Sequence, residues 1–252
     1  METKKRMLDN EQFDYKRMLG VASDTKTIKS LKYAYLTGIC YLMASNYAKK
    51  DGYNIPNTCG NESKECREGC LLKAGRGKFS NVRLARLNKT RCLLENRSVT
   101  NPNINAIKSI IKDIYTLKIT AYNKGLTPCV RLNGTSDLPW HKYGIMNRFR
   151  DVQFYDYTKN YKRMIQFLNN DLPFNYDLTF SYTGKNAIEC ISVLKKGGRV
   201  AVVFGKTPPN TFLGFKVKSG DDHDLTFIHD KGIVLALKPK GKIKDSIFFG
   251  DH

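Results

Sequence analysis

The apolar positions in the second half of the chain recur in short runs. Cys129-Val130-Arg131-Leu132, Val152-Gln153-Phe154-Tyr155-Asp156-Tyr157, Tyr176-Asp177-Leu178-Thr179-Phe180-Ser181-Tyr182 and Arg199-Val200-Ala201-Val202-Val203-Phe204 are rich in the β-branched and aromatic residues that favour strands. Their starts lie 23, 24 and 23 residues apart. Each gap holds a segment of helical pattern. It is weak over 142–150 and clearer over 161–169, where Met164, Ile165 and Leu168 share a side. Over 186–196 it is carried by Ala187, Ile188, Ile191, Val193 and Leu194 and closed by Gly197-Gly198. Strands alternating with helices of about ten residues predict parallel βαβ units. Upstream, 37–43 reads as an earlier strand. A long helix is predicted over 103–123 from Ile104, Ile107, Ile110, Ile111, Ile114, Leu117 and Ala121, with Gly125 ending it. A shorter helix is predicted over 81–95, with Ser80 as its cap. Downstream, 211–218 and 232–237 read as strands, and polar 219–231 as a loop with room for a short strand of its own.

No Ser/Gly linker interrupts this pattern. It predicts a single α/β domain over 19–245, flanked by a basic segment at 1–18 and a tail at 246–252. Units recurring at one spacing favour a closed or partial, TIM-like barrel of parallel βα units over an open sheet, with a β-rich C-terminal end. Polar, small residues follow each strand: Asn133-Gly134-Thr135-Ser136-Asp137, Thr158-Lys159, Ser181-Tyr182-Thr183-Gly184 and Gly205-Lys206-Thr207. In parallel α/β folds the active site sits at these carboxyl ends. One polar loop is ordinary, whereas four in register point to a shared mouth.

The charge adds a question about partners. Lys and Arg number 43 against 23 Asp and Glu, a net charge of +20. Nucleic acid is the natural polyanionic partner; the competing reading is a Lys-rich surface, since the basic residues are spread along the chain. The most concentrated candidates for phosphate and base contacts are Arg76 and Lys78 in Gly75-Arg76-Gly77-Lys78-Phe79, followed by Arg83, Arg86 and Lys89 on the next helix. The bland alternative is a solvated helix face. No run of about 18 apolar residues is present, so no membrane span is expected. Met1-Glu2-Thr3-Lys4-Lys5-Arg6 leads into polar sequence, and a cytosolic location with reduced thiols is expected. No G-x-x-x-x-G-K-[ST] loop, G-x-S-x-G elbow or protease-type His pair occurs; Gly205-Lys206-Thr207 is only a fragment of the first.

Seven Cys is an odd number and too few for a disulfide scaffold. Cys40, Cys129 and Cys190 sit in apolar runs and read as core. Cys59, Cys66 and Cys70 lie within twelve residues, in a loop over 57–80 with Gly60 and Gly69. Closely spaced thiolates on such a loop can converge on one centre. Three readings stay open: a [4Fe–4S] cluster, a zinc ion needing Cys92 or a distant His as fourth ligand, and chance clustering.

Several stretches resemble the gene product 88-like family of bacteriophage proteins. They are Gly20-Val21-Ala22-Ser23-Asp24-Thr25-Lys26-Thr27, Ala74-Gly75-Arg76-Gly77-Lys78-Phe79-Ser80-Asn81-Val82, Arg131-Leu132-Asn133-Gly134-Thr135-Ser136-Asp137-Leu138-Pro139-Trp140 and Val152-Gln153-Phe154-Tyr155-Asp156-Tyr157-Thr158-Lys159, with Phe212-Leu213-Gly214-Phe215, Gly220-Asp221 and Leu237-Lys238-Pro239-Lys240-Gly241 near the end. The resemblance covers nearly the whole of 19–245. Members typically carry Cys-Pro where this chain has Cys59-Gly60, and many have another residue at Cys92, which argues against Cys92 as a ligand.

Three Cys after the first strand of a βα barrel are also similar to the layout of radical S-adenosylmethionine proteins. There an open iron binds the methionine part of the cofactor, and reduction releases a 5′-deoxyadenosyl radical. The usual C-x-x-x-C-x-x-C spacing is absent here. The resemblance implies that Cys59, Cys66 and Cys70 hold the cluster. Asn133, Ser136 and Asp137 would face the hydroxyls and amino group of the nucleoside-type cofactor. Thr158, Lys159 and Ser181 would line the same mouth, with Lys159 opposite a carboxylate or phosphate. The plain alternatives are a helix cap for Asp137, a solvated charge for Lys159, a turn for Asp221, Asp222 and Asp224, and surface positions for His223 and His229. Two functions follow as expectations. One is a phage-encoded radical S-adenosylmethionine-like iron–sulfur enzyme acting on nucleic acid, a nucleotide or a peptide. The other is a basic accessory protein of phage replication or host takeover that binds DNA or RNA, with zinc or no metal in the Cys loop. Both would work in the host cytosol.

Overall fold

A computed structural model describes residues 17–21, 25–70, 72 and 75–239. The expected basic segment before 17, residues 22–24 and Ala74 of the quoted motifs, and the tail beyond 239 lie outside the described residues.

Nine strands form one mixed, mostly parallel sheet: β1 (Leu19–Val21), β2 (Tyr35–Cys40), β3 (Thr127–Arg131), β4 (Gln153–Thr158), β5 (Tyr176–Ser181), β6 (Arg199–Val203), β7 (Thr211–Phe212), β8 (Phe215–Ser219) and β9 (Val234–Leu237). Their spatial order is β1-β2-β3-β4-β5-β6-β9-β8-β7, and no pairing among the described residues joins the two ends. β2 to β6 are parallel, with β9 beside β6 and β8 beside β9; β1 and β7 pair antiparallel at the margins. Eight helices accompany them among the described residues: α1 (Thr25–Ser30), α2 (Tyr47–Lys50), α3 (Lys64–Glu68), α4 (Ser80–Leu94), α5 (Ile104–Asn123), α6 (Ile145–Arg148), α7 (Tyr161–Leu168) and α8 (Ala187–Lys195).

The four recurring runs are strands within two residues of their expected bounds, and α5, α7 and α8 match their predicted helices closely. Three expectations change. The run over 211–218 is a hairpin, β7–β8, turned at Leu213 and Gly214, whose φ angles are 53° and 82°; two left-handed residues match the twist of the flanking strands. Ser80 opens α4 as its first residue, and the cap is Phe79, which has no side-chain acceptor. Beyond Ser219, which ends β8, the stretch to 231 contains a short 3-10 turn (Thr226–Ile228) and no strand of its own.

Strand parity divides the sheet into two faces. Val130, Leu132, Phe154, Leu178, Phe180, Val200 and Val202 join the main core with Ile107, Ile110, Ile114, Leu117, Met164, Cys190, Val193 and Leu194 of α5, α7 and α8. Strands that follow one another across the sheet through right-handed crossovers place their helices on one side. The connection from β8 to β9 runs back toward β6, against that direction. The same handedness then carries it over the opposite face. There Leu225 and Phe227 pack on Cys129 and Tyr155, a second small core. This second face also carries charge. Arg131 pairs with Asp224 at 2.6 Å. Arg199 pairs with Asp177 at 3.0 Å and donates to the carbonyls of Phe227 and His229.

One acid sits among the apolar residues of the helix face. Asp156, 1% exposed, accepts from the Asn133 amide at 2.7 Å, the Asn133 side-chain amide at 3.3 Å and the Tyr176 hydroxyl at 2.9 Å. Burial outweighs these donors and raises its carboxyl to about 7. The native state therefore keeps a proton that the unfolded chain loses near pH 3.9. This stabilisation is complete below that pH and is lost as pH rises to about 7, by up to about 1.4 kcal/mol per pH unit. Denaturant unfolding at pH 4.5, 5.5 and 7.5 is expected to show the decline, and Asp156→Asn to flatten it; a wild-type slope unchanged by the substitution contradicts the assignment.

Candidate active site at the strand ends

The loop after β3 is built on the end of β2. Gly134 donates its amide to the Cys40 carbonyl at 3.0 Å, and a Cβ at this position would lie 2.7 Å from that carbonyl oxygen, so only glycine fits. Thr135 donates its hydroxyl to the Leu42 carbonyl at 2.6 Å. Asn133 is spent inside the loop: its Oδ1 accepts from the Ser136 hydroxyl, the Leu138 amide and the Trp140 indole. Asn133 and Ser136 thus shape the mouth.

Asp137 is the junction. Its carboxylate accepts from the Thr158 hydroxyl at 3.0 Å, the Lys159 amide at 3.0 Å and the Arg163 guanidinium at 2.7 Å. Its own amide donates to the Thr58 carbonyl at 2.7 Å, one residue before Cys59. One residue therefore ties four parts together: its carboxylate, 10% exposed, joins the β3 loop to the β4 loop and α7, and its amide joins it to the Cys loop. It does not cap the 3-10 turn (Trp140–Tyr143), whose cap is Pro139.

The Cys loop follows β2, the first strand of the parallel series. Thr58 donates its hydroxyl to the Met43 carbonyl at 2.7 Å. Glu62, whose side chain is 5% exposed, accepts from the Ser45 hydroxyl, the Asn57 amide group and Arg67. Cys59 lies between the Ser45 amide at 3.4 Å and the Thr135 carbonyl at 3.6 Å. The long spacing has a local cause. Six residues separate Cys59 from Cys66 because a turn and the Ser63-capped start of α3 intervene. Cys66 sits in α3, and Cys70 follows four residues later, past the cap Gly69. Across the mouth, Glu65 pairs with Lys185 after β5 at 3.3 Å.

Burial pushes the Cys59 thiol up to about 12 and also raises Cys70. Cys70 contributes to the rise at Cys59, and Cys66 to the rise at Cys70, so each lies in a neighbour's field. Cys40, Cys129 and Cys190 are core residues as expected, and Cys92 is packed in the main core, turned away from ligand duty. Zinc would need its thiolates about 4 Å apart, from Zn–S bonds of about 2.3 Å. Among the described residues no three His, Cys, Asp or Glu side chains are grouped to hold one metal ion. A cubane spreads its thiolates over separate irons. Thiolates are soft donors of the kind that hold either zinc or an iron–sulfur cluster.

Beside the loop lies a cavity of about 310 Å³, lined by Asn61, Glu62 and Ser63 of the Cys loop, by Lys159 and Tyr161, and by Phe180, Thr183, Asn186 and Glu189. Lys159 is thus brought to the Cys loop, and Thr158 lies behind it on Asp137. Ser181 lies at the end of β5, 9% exposed, its carbonyl accepting from Asn186.

The basic set divides. Arg76 and Lys78 are exposed. Arg83 makes two 2.8 Å contacts to Asp51. Arg86 lies over the Tyr41 ring at 5.0 Å, and Lys89 donates to the Met18 carbonyl at 2.8 Å. Burial pulls the Lys89 ammonium below the usual lysine range. The expected stripe is therefore not one solvated face. Two further corrections concern the β8–β9 connection. Asp224 is a buried ion-pair partner of Arg131, not merely a turn residue. His223 is 6% exposed, and its ring stacks on His229 at 4.6 Å, so the pair does not read as plain surface.

Removing Asp137 leaves Arg163, 6% exposed, as an uncompensated buried charge. Asp137→Ala is expected to cost about 3–5 kcal/mol of stability, read by denaturant unfolding. A loss below about 1 kcal/mol contradicts the junction role.

Searches of curated proteins and of solved structures return no match. A family model described as gene product 88 matches residues 16–252. The match spans the parallel strands, the Cys loop and the Asp137 junction, and by it the chain belongs to the gene product 88 family.

Proposed function

We propose that this phage-family protein is a radical S-adenosylmethionine-like iron–sulfur enzyme of the host cytosol, its sheet a partial barrel with the mouth at the ends of β2 to β6. The observation that carries the reading is the three-Cys connection after the first parallel strand, fastened over the strand ends by Asp137 and Glu62. Cys59, Cys66 and Cys70 would hold a [4Fe–4S] cluster. Held there and given an external one-electron donor, such a cluster would supply reductive cleavage of S-adenosylmethionine to methionine and a 5′-deoxyadenosyl radical. The chain's own part is placement. Asn133 and Ser136 fix the loop, Thr158 and Asp137 fix the Lys159 backbone, and the Lys159 side chain borders the cavity, where its charge suits a carboxylate. Ser181 borders the same strand ends.

A second reading rests on the exposed Arg76 and Lys78 and on the net charge of +20: a nucleic-acid-binding accessory protein whose Cys loop is structural. Metal and sulfide analysis after anaerobic reconstitution separates the two. The enzyme reading expects about four iron and four sulfide per chain, lost in the Cys59/Cys66/Cys70→Ala variant. About one zinc, or no metal, supports the binding protein, whose affinity for DNA or RNA should fall steeply with salt.

A further inference from the structure

A second cavity, of about 350 Å³, lies beside the start of the Cys loop and apart from the mouth. Its size falls in the range of ligand sites, about 300–1,000 Å³. Lys49 of α2, Arg97 just past α4, and Asn54, Ile55, Pro56 and Asn57 line it. Lys49, Asn54, Asn57 and Arg97 are exposed, so the cavity opens to solvent. The lining is held in place. Asn96 donates its amide to the Asn54 carbonyl at 2.9 Å and accepts from the Asn54 side chain at 3.0 Å. This clamp fastens residues 54–57 to the end of α4 and brings Arg97 to the cavity that Lys49 reaches from α2.

The charge there is one-sided. No Asp or Glu lines the cavity. Elsewhere around the loop, basic side chains are neutralised: Arg67 by Glu62, Arg83 by Asp51 and Arg91 by Glu95. Lys49 and Arg97 have no ion-pair partner among the described residues. The amides add donors. Asn57 accepts from the Cys59 amide at 2.7 Å and gives one hydrogen of its NH2 group to Glu62 at 3.2 Å. Asn54 gives one to Asn96. Each NH2 group has two hydrogens, so each keeps an N–H to spare. A carboxylate would neutralise one of the two cations. A phosphate carries a charge of about −1.5 to −2 and three strong acceptor oxygens, which matches the whole set.

We propose that this cavity holds a phosphate group of a nucleotide, either free or in a single strand. The bond from Asn57 to Glu62 links it to the site, because Glu62 also lines the cavity at the mouth. A phosphate on Lys49 and Arg97 would place the attached nucleotide beside the Cys loop. The inference names the substrate class of the enzyme proposed above, a nucleotide rather than a peptide. It rests on that reading only for the chemistry at the mouth; binding itself needs no cluster.

The test titrates the full chain with adenosine monophosphate by calorimetry, and with a labelled, 5′-phosphorylated oligothymidylate of about twelve nucleotides by fluorescence anisotropy. Lys49→Gln/Arg97→Gln is compared with Lys195→Gln/Lys196→Gln, the same change of charge at the exposed end of α8. Both pairs are exposed, so thermal stability is expected to hold. At least one probe is expected to bind. The cavity variant should weaken it about tenfold or more, and the α8 variant by less than about twofold. For the strand, the slope of log affinity against log salt should become shallower by about 1.4, at about 0.7 per lost phosphate contact. A strand-only effect assigns the phosphate to nucleic acid, and an equal effect on the monophosphate assigns it to a free nucleotide. Three results overturn the proposal: neither probe binds at low salt, the cavity variant binds as the wild type does, or the α8 variant weakens binding as much. Running the titrations on metal-free and iron-loaded protein keeps the two readings apart. Phosphate binding by a chain that takes up no iron sinks the cluster alone; a loaded cluster in a chain that binds neither probe sinks the phosphate site alone.

Discussion

The candidate site depends on one carboxylate, that of Asp137, whose side chain is 10% exposed. Asp137 accepts from Thr158, Lys159 and Arg163 and donates its amide to Thr58. These contacts join the loops after β3 and β4, α7 and the Cys loop, beside the backbone bonds of Gly134 to Cys40 and Thr58 to Ser45. A largely shielded carboxylate with charged and neutral donors is held firmly because leaving a donor unpaired is costly. The Cys loop, which has little regular structure besides α3, takes its position from this point and from Glu62. The position of Cys59, beside the Thr135 carbonyl, is thus tied to the loop after β3.

The second organising constraint is the direction of the crossovers. From β2 to β6 the chain advances strand by strand and leaves its helices on one face. β9 inserts between β6 and β8, so the last parallel connection runs backward and falls on the other face. That face then needs a cover without a helix, which 220–233 provides through Leu225, Phe227 and the Asp224–Arg131 pair.

The parallel units were legible in the sequence because their signal is local. Strand composition, helical period and the spacing of 23–24 residues each occupy a short window, and α5 and α8 stand nearly where their apolar periodicity puts them. The placement of the Cys loop at the strand ends followed from chain order in the same way. Pairings over long separations were not legible. Arg131 and Asp224 lie 93 residues apart, and nothing near Asp224 distinguishes it from a turn residue. Arg83, Arg86 and Lys89 share a helical face in the sequence, yet Asp51, the Tyr41 ring and the Met18 carbonyl draw them to the protein. Long basic side chains bury their stems and find partners that no local pattern announces. Asn133 looked like a ligand because its donors and acceptors are real; the loop it belongs to uses them.

The central claim is that the Asp137-clasped Cys loop presents a redox centre to a nucleoside-type cofactor at the strand ends. The most direct measurement is a single-turnover assay with anaerobically reconstituted, dithionite-reduced protein and S-adenosylmethionine, quantifying 5′-deoxyadenosine and methionine. The account predicts both products in equal amounts, in proportion to loaded protein, and neither from the Cys59/Cys66/Cys70→Ala variant. A fully loaded, reduced protein that leaves S-adenosylmethionine intact contradicts it.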